Sequence, residues 1–336
     1  MTLKLPIDAV ITWVNGNDEA WLQKKSEFPG FSQWELYHSD TEINDPRFRD
    51  FGLLKYTIDS ILKYAPWIRN VFVVTMQQKL NFEYSDPRVK VVYHEEFIPA
   101  QYLPTFNSNT IELNLHRIPG LSEHFILFND DMLLNSPVIP EDFFVGDLPK
   151  DVFGFKPVVP VYGSIGSIDI NNVAIINKHF PKHRYLHANL KNLFNIHYGF
   201  STILQTILCL PWKQYIGFKS FHVPIAHRKA DFKKIWSLEG SLLDTTCRSR
   251  YRSGNDISHW VIRYFRLVTG QFLPESPRTF KYYDLANIEF QDLQQDLLSE
   301  THSLICINDA PNVDIKTVVP KVASLLADKY GQVQFK

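Results

Sequence analysis

The chain has 336 residues, and its 35 Lys and Arg against 36 Asp and Glu leave a net charge of −1. With this net charge the chain as a whole does not attract nucleic acid or an anionic membrane. Any surface that binds anions must therefore be a local cluster of basic residues. Cys209, Cys247 and Cys306 are scattered singly, which favours a reducing cytoplasm over a disulfide framework. No uncharged apolar run approaches the ~18 residues of a membrane span. We therefore expect a cytoplasmic chain that is soluble or at most peripheral at the inner face of the membrane.

Apolar runs rich in β-branched residues alternate with amphipathic stretches along most of the chain. These runs predict strands over residues 7–14, 71–75, 89–93, 125–128 and 217–223. The amphipathic stretches predict helices over residues 19–28, 51–64, 108–117, 257–268 and 318–330. Asp50 is the predicted N-cap of the second helix. Strands that alternate with helices predict an α/β fold with a mainly parallel central sheet and helices on both faces.

Residues 150–217 are less regular, because proline, glycine and polar turns interrupt the apolar pattern, although a helical stretch is predicted over residues 179–194. We expect one catalytic domain over residues 1–336, with 150–217 as an insertion or lid within it. Parallel sheets of this kind bind ligands beyond the carboxyl ends of their strands. Polar residues that follow a predicted strand are therefore the first candidates for a site.

Acidic residues follow the predicted strand 125–128. Asn129, Asp130 and Asp131 stand at its carboxyl end, and Asp309 follows a second apolar run near the C-terminus. Carboxylate oxygens are the ligands that Mg²⁺ and Mn²⁺ prefer, so the three aspartates are candidate ligands of a divalent cation. The alternative is that these residues only cap turns.

Arginines cluster in two separate segments. Arg47 and Arg49 lie just ahead of a predicted helix N-terminus, where guanidinium groups and the helix dipole can converge on one phosphate. Arg248, Arg250 and Arg252 alternate in the second segment. The alternatives are surface ion pairs for the first segment and a solvated loop for the second.

Two histidines are candidates for proton transfer. Glu112 and His116 are four residues apart on the predicted helix 108–117, so they share a face that suits a general base or a metal ligand. His222 lies at the end of the apolar stretch 218–223 and can act as a base or hold a phosphate oxygen. A helix-surface contact for the first pair and a structural role for His222 are the alternatives.

The order of the motifs is the most specific feature of the sequence. The sequence contains no Walker-type, dinucleotide-binding or nucleophile-elbow motif, so kinase, dehydrogenase and serine-hydrolase functions lose their usual support. Instead, four regions in order resemble the Stealth family, which contains bacterial capsule and exopolysaccharide phosphotransferases and the animal lysosomal N-acetylglucosamine-1-phosphotransferase. The first region is IDAVITWVNGND (7–18). The others are RFRD to FNDD (47–131), HVP with RYRS (222–224 and 250–253), and ICIND (305–309).

This resemblance implies a GT-A or Rossmann-like fold and a transfer reaction. The chain would move a hexose 1-phosphate from a nucleotide sugar, a UDP-sugar in our expectation, to a hydroxyl of a growing capsular or extracellular polysaccharide, free or lipid-linked. Attack at phosphorus would leave a phosphodiester and release a nucleoside monophosphate. Similarity is weak over residues 150–217, so we expect acceptor choice to diverge there.

The resemblance and the motifs together predict the site residues. The predicted ligands of Mg²⁺ or Mn²⁺ are Asp130, Asp131 and Asp309. The predicted phosphate contacts are Arg47 and Arg252, with Arg49, Arg248 and Arg250 as their neighbours. The predicted wall on the nucleotide side consists of Asp8, Asn15, Gly16, Asn17 and Asp18. His222 is the first choice for the base that takes the acceptor proton, and the alternatives are Glu112, His116 and Asp131.

Two other functions remain open at this point. A Leloir glycosyltransferase would use the same donor but direct the acceptor to the anomeric carbon, so it would release the nucleoside diphosphate. A non-catalytic carbohydrate-binding module would release neither nucleotide. The released nucleotide therefore separates the three functions.

Overall fold

The computed structural model describes residues 5–28, 48–161, 166–310 and 313–331 of the chain. In these ranges the strands are β1 Ile7–Thr12, β2 Val71–Thr75, β3 Val89–Tyr93, β4 His124–Asn129, β5 Met132–Leu134, β6 Phe144–Val145, β7 Leu148–Asp151, β8 Ile225–Arg228, β9 Leu273–Pro274, β10 Phe280–Asp284 and β11 Leu304–Asn308. The helices are α1 Glu19–Ser26, α2 Leu53–Tyr64, α3 Ser108–Asn114, α4 Gly166–His179, α5 Lys182–Ala188, α6 Leu190–Leu193, α7 Phe200–Leu208, α8 Lys229–Arg248, α9 Trp260–Thr269, α10 Phe290–Ser299 and α11 Ile315–Tyr330. None of these helices is both long and apolar enough to cross a membrane.

The central sheet has the strand order β3-β2-β1-β4-β8. β1 to β4 run parallel, and β8 joins the edge of β4 in the antiparallel direction. β2, with the sequence VFVVT, is buried along its whole length, as expected for a parallel strand that is covered on both faces. The predicted α/β fold with a mainly parallel sheet and helices on both faces is confirmed.

Alternate residues of β1 face two different hydrophobic cores. Val10 packs with Phe125 in the core that also contains buried residues of α8 and α9. Ile11 packs with Phe128 in a second core, which Ile58 of α2 completes. Burying one side chain of this size contributes about 1.5–3 kcal/mol, so both faces of the sheet are firmly held.

The strand order reverses between β1 and β4. The chain winds from β1 through β2 to β3 on one side and then places β4 on the other side. The carboxyl ends of β1 and β4 meet, with Thr12 paired to Asn129, and the loops that leave them diverge to form a crevice. A second sheet of order β10-β11-β5 brings the end of β11 close to this crevice, because β5 begins directly after the turn that follows β4.

Three local predictions differ from the structure. Asp50 is not the N-cap of α2, because Gly52 with φ 71° holds that position and donates its N–H to the Asp50 carboxylate at 2.8 Å. The helix predicted over 108–117 is α-helical only as α3 and continues as a 3-10 turn, Leu115–Arg117. Residues 217–223 form no extended strand, and the next strand, β8, begins at Ile225 after Pro224.

The segment 150–217 is more regular than its sequence pattern predicted. The helices α5 and α6 lie within the predicted helical stretch 179–194, whereas α4 and α7 were not predicted. Ile176 of α4 is fully buried in the same core as Val261 of α9. Asn172 breaks the apolar pattern of α4 because it is buried and exchanges hydrogen bonds with Ser258, at 2.8 and 3.0 Å. Residues of this segment thus contribute to the main hydrophobic core.

Candidate active site

A cleft of about 410 Å³ opens at the carboxyl ends of β1, β4 and β11. The final residues of these strands, Thr12, Asn129 and Asn308, form its floor. The predicted site residues that line it are Arg49, Glu112, Asp130, Asp131, His222, Arg252 and Asp309. The fold therefore brings together side chains from the acidic strand ends, both arginine segments and the candidate bases.

The turn between β4 and β5 carries the two adjacent carboxylates. Thr57 donates its hydroxyl to the carbonyl of Asp130 at 2.6 Å, and the N–H of Ile307 donates to the carbonyl of Asp131 at 2.9 Å. These bonds fix the turn against α2 and β11. Burial, and repulsion by Asp131 and Asp50, hold the pKa of Asp130 well above its usual range. The turn thus crowds carboxyl groups together in a buried position.

The two carboxylate oxygens of Asp131 have different surroundings. Its Oδ1 is buried and has no hydrogen-bond partner among the described residues. Its Oδ2 accepts from the Cys306 thiol at 3.4 Å and lies 3.8 Å from Nε2 of His222. These three side chains place potential ligand atoms within 4.8 Å of one another. Burial and the carboxylate of Asp131 hold the pKa of Cys306 well above its usual range, so the thiol stays protonated and donates its hydrogen bond to Asp131.

Arg49 and Asp309 bind each other across 260 residues of sequence. Nε and Nη2 of Arg49 donate to the two carboxylate oxygens at 2.8 and 2.9 Å. Because both oxygens of Asp309 are engaged by a guanidinium, its predicted place as a cation ligand is disfavoured. Nη1 of Arg49 is buried and has no partner in the described part of the chain, so it remains available to an anion in the cleft.

The predicted wall on the nucleotide side is not part of the described lining of the cleft. Its residues Asn15, Gly16, Asn17 and Asp18 are absent from that lining. Gly16 donates its N–H to the carbonyl of Phe48 at 2.7 Å, and a Cβ at Gly16 would lie 2.4 Å from that oxygen. Only glycine allows this close approach, which sets Phe48 and Arg49 at the cleft. Asp18 caps α1 instead of facing the cleft.

Asp8 is a structural residue at the opposite end of β1. Its fully buried carboxylate accepts hydrogen bonds from Nε and Nη2 of Arg69 at 2.9 and 2.6 Å. The N–H and hydroxyl of Ser122 donate to it at 2.7 and 2.8 Å. These bonds tie the start of β1 to the loops before β2 and β4, so the predicted substrate contact of Asp8 is wrong.

His116 also lies away from the cleft. The 3-10 turn after α3 rotates it off the face of Glu112 and packs its ring against Phe232 and Trp236, at centroid distances of 5.4 and 6.4 Å. Burial lowers the pKa of His116 to about 3, so the ring is neutral. The predicted pairing of Glu112 with His116 on one face is therefore wrong.

The buried ring of His116 should cost stability in mild acid. Its folded pKa of about 3 lies below the unfolded value of about 6.5, so the unfolded chain binds the proton first. Stability is complete above pH 6.5 and falls as the pH drops. Between pH 7.5 and 5.5 we expect a loss of about 1 kcal/mol from this residue.

Urea unfolding at the two pH values measures this effect. In His116→Gln the pH-dependent loss should shrink by about 1 kcal/mol. The exposed His183 provides a matched control, because His183→Gln should leave the loss unchanged. Equal losses in the wild type and His116→Gln would contradict the assignment.

One wall of the cleft is the helix α3. It starts at Ser108 because the side chain of Asn107 caps it. Ser108 and Glu112, one turn apart, both line the cleft. The hydroxyl of Ser108 accepts from Nη2 of Arg252, and Oε2 of Glu112 lies 2.7 Å from Nδ1 of His259. The partner of Glu112 is thus His259, from the start of α9.

A buried carboxylate fixes the loop that carries Arg252. Oδ2 of Asp256 accepts from the side-chain amides of Asn107 and Asn109, at 2.8 and 3.0 Å, and from the N–H of Ser253 at 3.0 Å. These bonds dock the loop on the N-terminus of α3. They hold Arg252 at the cleft.

The other arginines of the two clusters are placed differently. Nη1 of Arg250 donates to the carbonyl of Pro104 at 2.7 Å, and Arg250 is not among the residues described as lining the cleft. Nε of Arg248 donates to Asp244 at 2.7 Å on the exposed surface of α8. Arg47 lies outside the described residues, so its role stays a prediction. Arg252 and Arg49 are therefore the cations that the described cleft contains from these clusters.

His222 lies in the loop before β8, and its side chain is 39% exposed. Its Nε2 is 3.4 Å from Nδ2 of Asn129. Burial lowers the pKa of His222, but Asp131 and Glu112 raise it, and the net shift is upward from the usual value. Such an imidazole can accept a proton from a hydroxyl near neutral pH.

Sequence reasoning missed three residues that organise the site: Asn107, Asp256 and His259. Asp256 follows the predicted arginine cluster closely, and Asn107 directly precedes the predicted helix 108–117. Their positions in the sequence could therefore have indicated that they belong to the site. His259 had no such signal, because only the packing of α9 on α3 brings it to Glu112.

Two family models match the sequence. Stealth protein conserved region 1 matches residues 5–28, and Stealth protein conserved region 2 matches residues 47–151. The capsular polysaccharide phosphotransferase WcwK of Streptococcus pneumoniae is 38% identical over 310 residues, which cover 92% of this chain and 90% of that protein. The exopolysaccharide phosphotransferase cps2G of Lactiplantibacillus plantarum is 42% identical over 306 residues, which cover 90% and 87%. The receptor polysaccharide phosphotransferase WefC of Streptococcus gordonii is 35% identical over 330 residues, which cover 96% and 97%.

Solved structures are more distant. The bifunctional glycosyltransferase WbbM aligns with a TM-score of 0.40 at 10% identity, over 98% of this chain and 51% of that chain. The galactosyltransferase LgtC, solved with donor and acceptor sugar analogues, aligns with a TM-score of 0.34 at 10% identity, over 96% of each chain. Because this similarity is low, we assign no role to a cleft residue from these structures. The roles are argued from the contacts of the residues in this chain.

Proposed function

Because the chain belongs to the Stealth family, we propose that it transfers a sugar 1-phosphate from a nucleotide sugar to a hydroxyl of a capsular or extracellular polysaccharide. Its relatives over nearly the whole length are named polysaccharide phosphotransferases. The observation that carries the proposal is the cleft at the reversal of strand order. Carboxylates of Asp130 and Asp131, guanidinium groups of Arg49 and Arg252, and the imidazole of His222 line it together.

The proposed reaction forms a bond between the acceptor oxygen and the phosphorus that bears the sugar. The bond from that phosphorus to the bridging oxygen of the diphosphate breaks, and a nucleoside monophosphate leaves. Negative charge spreads over the phosphoryl oxygens during this transfer. Arg252, held by Ser108, and Nη1 of Arg49 are the described cations that line the space where this charge would develop.

A divalent cation, Mg²⁺ or Mn²⁺, is part of the proposal. The site fits such an ion because Oδ1 of Asp131 is buried without a partner among the described residues. Burial, and repulsion by the carboxylates of Asp131 and Asp50, raise the pKa of Asp130. Asp130 and Asp131 would hold the ion with hard oxygen ligands, whereas Asp309 is bound to Arg49. When bound, the ion would offset the charge of the diphosphate.

His222 is the proposed base. Its Nε2 faces the cleft between Asn129 and Asp131, so the neutral ring can accept the proton of the acceptor hydroxyl. The carboxylate of Asp131, 3.8 Å away, favours the imidazolium that results. Glu112 remains the alternative base in the cleft, although one of its oxygens already contacts His259.

We place the reaction in the cytoplasm, with a free or lipid-linked saccharide as the acceptor. The three cysteines of the chain are all buried and unpaired, which suits a reducing compartment. The segment 150–217 is the proposed region of acceptor choice, because the predicted family similarity is weakest there.

Analysis of the released nucleotide tests the proposed function. The purified chain is incubated with a panel of nucleotide sugars, Mg²⁺ or Mn²⁺, and an oligosaccharide acceptor. We expect a nucleoside monophosphate and, by ³¹P NMR of the saccharide product, a phosphodiester. A reaction without the acceptor is the control for donor hydrolysis. Release of the nucleoside diphosphate would instead identify a Leloir glycosyltransferase, and release of neither nucleotide would favour a binding module.

A further inference from the structure

The helix α7 turns its large apolar side chains toward solvent. Phe200, Leu204 and Leu208 are spaced by four residues and share one face, and they are 80%, 43% and 64% exposed. The opposite face carries Thr202 and Thr206, which are buried. The usual arrangement of an amphipathic helix, with apolar residues inward, is therefore reversed.

Three contacts beneath α7 fix this orientation. The N–H of Phe155 donates to the hydroxyl of Thr206 at 3.0 Å, and Nζ of Lys219 donates to the hydroxyl of Thr202 at 2.9 Å. A Cβ at Gly154 would lie 2.7 Å from the methyl group of Thr202, so the helix already approaches this backbone as closely as a threonine permits. Rotation of α7 would press bulky side chains into that space, so its apolar face is held outward.

Exposed apolar side chains also occur just before and just after the helix in the sequence. Ile196 is 82% exposed in the turn just before α7, and Trp212 is 55% exposed in the turn just after it. We call Ile196, Phe200, Leu204, Ile207, Leu208 and Trp212 the α7 patch. Single exposed apolar side chains are ordinary, but a cluster of this size marks an interaction surface.

The sequence segment that carries the α7 patch contains charges of one sign. Residues 170–230 contain eight Lys and Arg and no Asp or Glu, although the whole chain has a net charge of −1. Arg184, Lys191 and Lys213 of this segment are exposed. Exposed leucine, phenylalanine and tryptophan side chains with flanking cations are typical of helices that lie in the interface of a bilayer. Anionic lipids attract such cations.

We propose that the α7 patch docks this chain on the surface of an anionic lipid bilayer. The apolar side chains enter the boundary between headgroups and acyl chains, and the cations contact the lipid headgroups. The absence of acidic residues over residues 170–230 favours a uniformly anionic surface over a protein partner or a second copy, which would present mixed charges. This inference goes beyond the proposed reaction and does not depend on it, because docking requires neither donor nor acceptor.

Sedimentation with lipid vesicles tests the proposal. The wild-type chain, without donor or acceptor, should bind vesicles of phosphatidylcholine with phosphatidylglycerol and bind pure phosphatidylcholine vesicles weakly. The double variant Phe200→Ser/Leu204→Ser should bind the anionic vesicles about tenfold more weakly or less, because it removes buried apolar area. Lys191→Gln and Lys213→Gln should each lose about fivefold on anionic vesicles.

Matched controls lie far from α7 in the sequence. Leu298 is 79% exposed on α10 and Lys316 is exposed on α11, so Leu298→Ser and Lys316→Gln should bind like the wild type. Absence of wild-type binding, or equal binding by the α7 variants, would overturn the proposal. A dimer in sedimentation equilibrium that the double variant dissociates would also overturn it, because it would assign the patch to a second copy. Hydrolysis of the donor in the absence of an acceptor should be unchanged in the double variant, because neither residue lines the described cleft, and this control separates the test from that of the reaction.

Discussion

The substitution Asp131→Asn is expected to abolish turnover while the thermal midpoint of unfolding stays nearly unchanged. The amide keeps the shape of the side chain but removes the negative charge from the unpartnered oxygen in the cleft. We expect a loss of about 10³-fold or more in rate, because charge stabilisation of the transferring group depends on the cation that this oxygen would hold. Stability should change little, since the described partners of the carboxylate are only the Cys306 thiol and His222.

Initial rates and thermal unfolding of the purified variant measure both parts of this prediction. Asp328→Asn is a matched control, because Asp328 is exposed on α11, and it should retain wild-type activity. A chelator should stop the wild-type reaction, and added Mg²⁺ or Mn²⁺ should restore it. Full activity in the chelator or in Asp131→Asn would refute the cation site.

The substitution His222→Ala should reduce turnover at saturating donor by about 10²–10⁴-fold, the usual contribution of a general base. Its Nε2 faces the cleft near Asn129 and Asp131, where an acceptor hydroxyl can reach it. The Michaelis constant for the donor should change little, because Arg49 and Arg252 are retained. Steady-state kinetics with varied donor separate the two parameters.

The exposed His183 again provides the control, and His183→Ala should behave like the wild type. Glu112→Gln tests the alternative base in the same cleft. A His222→Ala enzyme that lost donor affinity but kept its turnover would make His222 a phosphate ligand. In that case the larger loss of turnover should appear in Glu112→Gln.

Local sequence patterns determined most of the strands and helices and the acidic residues at the carboxyl ends of β4 and β11. The apolar run of β4 and the acidic residues after it are adjacent in the chain, so the position of Asp130 and Asp131 follows from the direction of one strand. The same reasoning placed Asp309 after β11. The periodicity of β1, β2 and α2 likewise predicted the parallel sheet with covered faces, because burial on one or both faces sets that periodicity. The order of the motifs indicated the family by itself.

Only the tertiary structure decided which polar side chains face the cleft. Arg49 binds Asp309 and Glu112 binds His259 through hydrogen bonds between distant segments, and no local pattern encodes such pairs. A 3-10 turn of one residue triplet moved His116 into the core, and the direction of β1 placed Asp8 at the end away from the cleft. Sequence specifies residue types and their order, whereas the partner of a charged side chain depends on the packing of elements that are far apart in the chain.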